Sequence, residues 1–461
     1  MIVNIKEKIT NYFTKGHERT VLTKKNIALS FAIKGITILC SFIMIPLTIG
    51  YVNPERNGIW SVLYSMIFWL NLFDIGLGNG MRNKLAEAKA LGDNESAKKY
   101  VSSTYAIVGL ISLGIFIFFS FVNPHLDWIK ILKNVPVDYA GEISGLVWIS
   151  MLSFCLIFCL NLLKMVVIAD QRPAIAAFLD MLGQVLTLVG IFVLSKTAPP
   201  SLISLGLVTG LAPVVVFIIA NIYLFKTRYK DWRPSFRHIR FGLARNMMTL
   251  GIKFFIATCA AFMITQTLPF LIQRLTNPTE VTNFNTAFKL FSLVFNVIGI
   301  IIVPYWSSFT DAYTQKDFIW MKKSMTMLHK FFILLLLFQI ILLAFSGRIY
   351  YLWVNHWMTN SANTLNIKPA MSIAVCIYVC TMSWLNINIY PINGIGKLRL
   401  QVYSSIFEII MLIPVALWTG TRWGAPGVVF ASVLVQTPRM IWAPIQLNKL
   451  IKNKANGIWN E

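Results

Sequence analysis

Lys34, Lys164, Lys253, Lys289, Arg439, Asp74, Asp180 and Glu408 all stand inside long apolar stretches of this 461-residue chain. An ionised side chain in hydrocarbon is costly unless it meets a partner or water, so these residues are the first candidates for function. The five cations suit an anionic ligand. Phosphate is the obvious one, since a compact ammonium attracts it strongly in a low-dielectric cleft and Arg can grip it bidentately. The three carboxylates could titrate or hold a coupling ion.

Each residue also has a plainer reading. Lys164 and Lys289 lie within about a turn and a half of a helix end, close enough to snorkel to the interface. Glu408 and Arg439 sit at depths where they could meet as a structural ion pair or as a functional one. Asp74 could cap the glycine-rich end of its helix. Lys34 and Lys253 are the pair for which function is favoured, because they occupy matching positions in two halves of the chain and would present two cations to one cleft.

Several other chemistries find no support. Gly76-Leu77-Gly78-Asn79-Gly80 ends an apolar span instead of opening a helix after a strand, and no P-loop pattern occurs, so ATP hydrolysis is not expected. His17, His125, His238, His329 and His356 share no metal-ligand spacing, and no nucleophile motif is present. Neither a metal nor a cofactor is expected, and the chain reads as a transporter, not an enzyme. Cys40, Cys155, Cys159, Cys259, Cys376 and Cys380 fall within apolar stretches, where thiols pack as small residues and imply no disulfide framework.

The elements that must position these residues are membrane helices. Hydrophobic residues make up 56% of the chain, charged residues 13%, and mean hydropathy is +0.66, so the chain belongs in lipid. A spanning helix needs roughly 20 mostly apolar residues. Such stretches predict twelve spans: 27–50, 58–80, 100–122, 143–168, 174–195, 201–225, 249–272, 284–306, 329–346, 368–390, 402–420 and 426–447. The basic first 26 residues are expected to be retained as a cytoplasmic tail. Ile2, Ile5, Ile9 and Phe13 there share one helical face that could lie on the membrane surface, although a plain flexible tail fits the segment equally well.

The net charge of +23 follows from this topology. Of 41 Lys and Arg, 27 fall on the side of the N-terminus, 7 on the opposite side and 7 within spans. Positive-inside insertion produces that asymmetry, and no nucleic-acid partner is implied.

The chain also repeats itself. A shift of 219 residues pairs Ile33 with Ile252, Lys34 with Lys253, Cys40 with Cys259, Met44 with Met263, Ile45 with Ile264 and Thr48 with Thr267. A shift of 224 carries Asn53-Pro54 onto Asn277-Pro278, and Ala88, Asp93, Lys98 and Lys99 onto Ala312, Asp317, Lys322 and Lys323. A shift of 221 puts Cys155 and Cys159 onto Cys376 and Cys380. Corresponding helices are six apart, which makes the repeat parallel and predicts two six-helix lobes around a central cleft. The lobes are 27–225 and 249–447. A basic cytoplasmic linker, 226–248, joins them and could lie along anionic lipid. Residues 448–461 form a second cytoplasmic tail.

One segment carries a family resemblance. Phe73-Asp74-Ile75-Gly76-Leu77-Gly78-Asn79-Gly80-Met81-Arg82-Asn83-Lys84-Leu85-Ala86-Glu87-Ala88, with Gly92-Asp93 after it, resembles bacterial polysaccharide transporters, the O-antigen flippases of the multidrug/oligosaccharidyl-lipid/polysaccharide exporter superfamily. Asn393-Gly394-Ile395-Gly396-Lys397 is similar to that family as well. The resemblance implies a MATE-like fold in the bacterial inner membrane with both termini cytoplasmic. It implies export of an undecaprenyl-diphosphate-linked oligosaccharide for O-antigen or another surface polymer, alongside a polymerase and a chain-length regulator. Flipping would be coupled to a proton or sodium gradient, with Asp74, Asp180 or Glu408 titrating. A drug or metabolite exporter of the same superfamily is the alternative. A membrane polymerase or ligase would be expected to carry a large outer loop, and the longest outer segments here, 123–142 and 347–367, are short.

Overall fold

The computed structural model describes residues 18–70, 77–170, 172–243, 252–357 and 364–460. Asp74, Arg245 and the candidate surface-helix residues Ile2, Ile5, Ile9 and Phe13 lie outside the described residues. So does the side chain of Lys253.

The long helices are α1 (Glu18–Val52), α2 (Pro54–Phe68), α3 (Leu77–Ala90), α4 (Asn94–Val122), α5 (Ala140–Leu160), α6 (Leu162–Ala169), α7 (Pro173–Thr197), α8 (Leu202–Lys226), α9 (Ile252–Leu275), α10 (Pro278–Thr314), α11 (Phe318–Trp353), α12 (Pro369–Ile395) and α13 (Arg399–Ile451). Eight of the described helical segments are long and apolar enough to cross a membrane. Outward-facing positions such as Phe118, Leu334 and Ile410 are exposed yet apolar, the inverse of a water-soluble bundle and what lipid contact requires.

One predicted boundary is met and one is corrected. The break expected between spans eleven and twelve falls at Gly424, where the backbone leaves the helical region with a φ of 65° open to glycine, so α13 is two helical arms joined at a sharp turn. Thr419 Oγ1 donates to the Gly427 carbonyl at 2.8 Å across this bend and ties the two arms together. The predicted loop from 81 onward begins instead as the second half of α3. There Met81, Leu85 and Ala88 are buried at helical spacing between polar residues, an amphipathic pattern invisible to mean hydropathy.

The chain packs as two compact units. The first contains residues 1–51, 71–126 and 141–252; the second contains 52–70, 127–140 and 253–461. In the first unit small residues let helices approach closely: Gly190 of α7 faces Val208 of α8, and Gly206 of α8 faces Leu146 of α5. A turn at Asn161 separates α5 from α6, and Asn221 of α8 donates to the Leu160 carbonyl there at 3.2 Å.

In the second unit α10 is the hub, packed against α12 and α2. Val294, Ile298, Ile302 and Phe309 of α10 join Ile387 and Ile392 of α12 and Met325 of α11 in a continuous apolar core. Gly394 sits directly against the Trp306 carbonyl, where any side chain would collide. Helices α2 and α10 cross near their N-termini. Gly58 of α2 lies against the Pro278 backbone, and Thr282 of α10 donates to the Pro54 carbonyl at 2.7 Å. Asn57 Nδ2 donates to Thr282 Oγ1 at 3.1 Å.

Residues matched by the internal repeat perform matched tasks. Asn53 caps α2 by accepting from the Arg56 amide, and Asn277 caps α10 by accepting from the Glu280 amide, each at 2.9 Å. Asp93 and Asp317 likewise cap α4 and α11, accepting from the amides of Ser96 and Trp320.

Candidate functional site

Two concavities in the second unit are lined in part by α12. One is a cavity of about 270 Å³ lined by α9, α10, α12 and α13. Its centre is Glu408 and Arg439, carried on the two arms of α13 and brought together by the bend at Gly424. Arg439 Nε stands 2.9 Å from Glu408 Oε1, with the two side chains only 8% and 1% exposed. Arg439 Nη2 also donates to Ser405 Oγ at 2.8 Å. The approach of Nε to Oε1 is close, but its angle makes no hydrogen bond, and neither Glu408 oxygen has a donor. Gln401, Gln436, Asn386 and Asn393 add amides to the wall, and Trp306, Tyr378 and Tyr390 add aromatic rings.

The other concavity is an open groove of about 1130 Å³ between α11, the second arm of α13 and Asn388 of α12. Lys322, Lys323, Lys330 and Lys452 line it, with His329, and no carboxylate does. Its remaining surface is largely apolar, including Phe318, Met325, Leu447 and Ile451. Asn388 is fully buried and its Oδ1 lacks a donor. The matching segment of the first copy differs in charge. In the first unit Lys99 pairs with Glu95 at 2.6 Å; a shift of 224 places Lys323 where Lys99 stands and Ile319 where Glu95 stands. The second copy therefore keeps the cation, lacks its local counter-ion, and exposes 85% of Ile319 instead.

The first unit gathers charge differently. Asp170, at the end of α6, receives Lys89 Nζ at 2.6 Å, Arg228 Nε at 3.0 Å, Arg172 Nε at 3.4 Å and the Tyr229 hydroxyl at 3.0 Å. Burial pushes the Asp170 carboxyl up, but the hydrogen bonds from Lys89, Arg228 and Tyr229 outweigh it and hold the pKa below the usual carboxylate range. Burial and the neighbouring Asp170 charge push the Tyr229 hydroxyl up to about 12. Tyr229 stacks on Trp232, whose indole donates to Asn94. Ser102 and Ser103 of α4 accept from the amides of Ser235 and Arg240. The basic linker is thus laced to α4, with Phe236 93% exposed among its arginines.

The residues singled out from sequence fall into distinct settings. Lys164 pairs with Asp180 at 3.0 Å in the first unit. Arg439 pairs with Glu408. Lys34 is exposed on α1, and Lys289 is half-buried on α10 with no ion pair among the described residues. Lys322, Lys323 and Lys452 lie outside the apolar spans, where a charge costs little and so carries no signal of function, and Lys330 stands at the edge of one.

A multi-pass, all-α membrane protein with a MATE-like fold is what this architecture defines. Residues 23–310 match the family described as polysaccharide biosynthesis protein, and the chain belongs to that family. Two Salmonella proteins, each named "Putative O-antigen transporter", are similar to it. That of Salmonella typhi is 18% identical over 406 residues, covering 85% of this chain and 88% of that protein. That of Salmonella typhimurium is 21% identical over 258 residues, covering 56% of this chain and 58% of that protein. Among solved structures, an inward-facing multidrug resistance MATE family transporter of the MOP superfamily superposes with a TM-score of 0.78 at 14% identity, covering 93% of this chain and 100% of that one. The lipid II flippase MurJ in an inward closed conformation gives 0.73 at 14% identity, covering 93% and 90%. These comparisons bear out the family resemblance and the fold expected from the sequence. The proteins it resembles are transporters and flippases, not enzymes.

Proposed function

We propose that this protein is a flippase that moves a polyprenyl-diphosphate-linked oligosaccharide, an undecaprenyl-linked unit of O-antigen or a similar surface polymer, from the cytoplasmic to the outer leaflet of the bacterial inner membrane. The observation that carries this reading is the groove of α11 and α13. A lipid diphosphate joins a dianionic head to a long apolar tail, and the groove pairs four lysines with an apolar floor and no competing carboxylate. Membership of the polysaccharide biosynthesis family and the names of the Salmonella relatives support the same class of substrate.

The charge asymmetry of the loops supports cytoplasmic termini, which puts the groove at the cytoplasmic surface, where such a lipid is loaded. Lys34, Lys253 and Lys289 are proposed as the cations that the diphosphate meets during alternating access. Lys164 and Arg439 are already engaged by carboxylates. Coupling to a proton or sodium gradient, contact of the linker with anionic lipid, and work beside a polymerase and chain-length regulator belong to this proposal. Export of drugs or metabolites is disfavoured, because the groove repels organic cations.

The test is translocation of a labelled undecaprenyl-diphosphate oligosaccharide in proteoliposomes. Translocation is expected, and it should fall at least tenfold in the quadruple variant K322Q/K323Q/K330Q/K452Q. Absence of translocation by the unaltered protein would overturn the reading.

A further inference from the structure

The wall of the cavity around Glu408 and Arg439 holds buried acceptor atoms that lack a donor on Gln401, Asn393 and Glu408, against one buried donor without an acceptor, Arg439 Nε. Gln401 is 6% exposed and its Oε1 has no donor; Asn393 Oδ1 and both Glu408 oxygens are also buried without one. Buried acceptors left unpaired are costly, so this wall is complete only when something donates to it. The occupant is constrained by charge. Glu408 and Arg439 are the charged residues of the lining, and they cancel, so a diphosphate would meet Glu408 and a lone cation would meet Arg439. A neutral molecule with many hydroxyl groups suits both.

Shape constrains it further. The Trp306 and Tyr390 rings meet edge to face at 5.7 Å and form an apolar corner. A sugar ring has hydroxyls around its rim and C–H groups on its face, which fits a wall of acceptors beside an aromatic corner. At about 270 Å³ the cavity lies just below the range of roughly 300–1,000 Å³ of drug-sized ligand sites. It suits a part of a glycan and excludes an entire lipid-linked repeat.

We propose that this cavity is a saccharide subsite: hydroxyls of one part of the glycan donate to Gln401, Asn393 and Glu408, while the sugar face lies against Trp306 and Tyr390. The assignment rests on the flippase reading and deepens it. It separates recognition of the sugar, in the neutral cavity, from recognition of the diphosphate, in the cationic groove.

Cysteine protection tests it. Asn386 is half-buried in the cavity wall, so N386C in a full-length protein whose six native cysteines are replaced by Ser reports occupancy. M382C, in the same wall, serves as a second reporter should N386C fold poorly. Reconstituted in nanodiscs, the variant is treated with neutral methyl methanethiosulfonate alone, with undecaprenyl diphosphate, with sodium in place of choline, or with the free oligosaccharide released by mild acid from the lipid-linked precursor. The oligosaccharide is expected to slow modification at least tenfold, and the lipid diphosphate and sodium are not. No protection by the oligosaccharide, or equal protection by sodium or the lipid diphosphate, overturns the subsite. Translocation without sugar protection removes the subsite alone, whereas protection without translocation removes the flippase reading and leaves a sugar-binding cavity.

Discussion

Arg439 and Glu408 approach to 2.9 Å from opposite arms of α13, and the bend at Gly424 between those arms is what lets them meet. A buried pair of this kind is held by mutual need, because either charge alone in the interior is far costlier than both together.

Removing one partner should therefore be more harmful than removing both. E408A or R439A alone is expected to lower stability by about 3–5 kcal/mol, and E408A/R439A should recover part of that loss. Thermal unfolding of the purified variants in detergent measures it. Strictly additive losses would show that the two charges do not depend on one another.

The Asp170 cluster should make the first unit acid-sensitive. Its carboxyl pKa is lowered in the fold, so the carboxylate stabilises the folded state above the unfolded value of about 3.9. That contribution disappears as pH falls through the lower folded value. D170N should lose about 1–3 kcal/mol near neutral pH, and its stability should depend less on pH below about 4 than that of the unaltered protein. Denaturation curves between pH 6 and pH 3 would reveal the difference; parallel curves would contradict it.

Crossing of α2 and α10 depends on the missing side chain of Gly58. G58A drives a methyl into the Pro278 backbone and is expected to cost about 1–3 kcal/mol. T282A leaves the space but removes the bond to the Pro54 carbonyl, costing roughly 0.5–1.5 kcal/mol. The order of their melting temperatures checks the assignment, and a G58A protein as stable as the parent would refute the close approach.

Under the flippase reading, K34A/K253A should insert normally yet leave lipid-linked precursor on the cytoplasmic side. Surface polymer in a strain carrying only that variant reads the outcome, and normal polymer would remove the role of both lysines. Dissipating imposed proton and sodium gradients in proteoliposomes should slow flipping; indifference to both would remove ion coupling.

Much of the fold was legible because hydrocarbon imposes one strong rule, a run of about 20 apolar residues. Where the residues are described, the predicted spans fall on helices, the second divided between α2 and α3 and the fourth between α5 and α6 at Asn161. The repeat was legible where it fixes backbone chemistry, as in the Asn53 and Asn277 caps, since a cap is a local need of the helix end. The cationic groove was not. Lys322, Lys323 and Lys452 look like ordinary orienting charges in sequence, and only packing of α11 against α13 sets them around one apolar floor. The cavity was half legible: Glu408 and Arg439 could be placed at compatible depths, but the amides of Gln401 and Asn393 are uncharged, and nothing in hydropathy distinguishes them from other polar residues.

Gly58 and Thr282 occupy equivalent positions of the two copies, four residues beyond the shared Asn-Pro cap. At that crossing unlike residues fit best. Two glycines would abandon the Pro54 carbonyl, and two threonines would collide with the Pro278 backbone. The crossing therefore favours unlike residues at positions that the repeat makes equivalent, and a chain rebuilt from two identical halves should lose stability there.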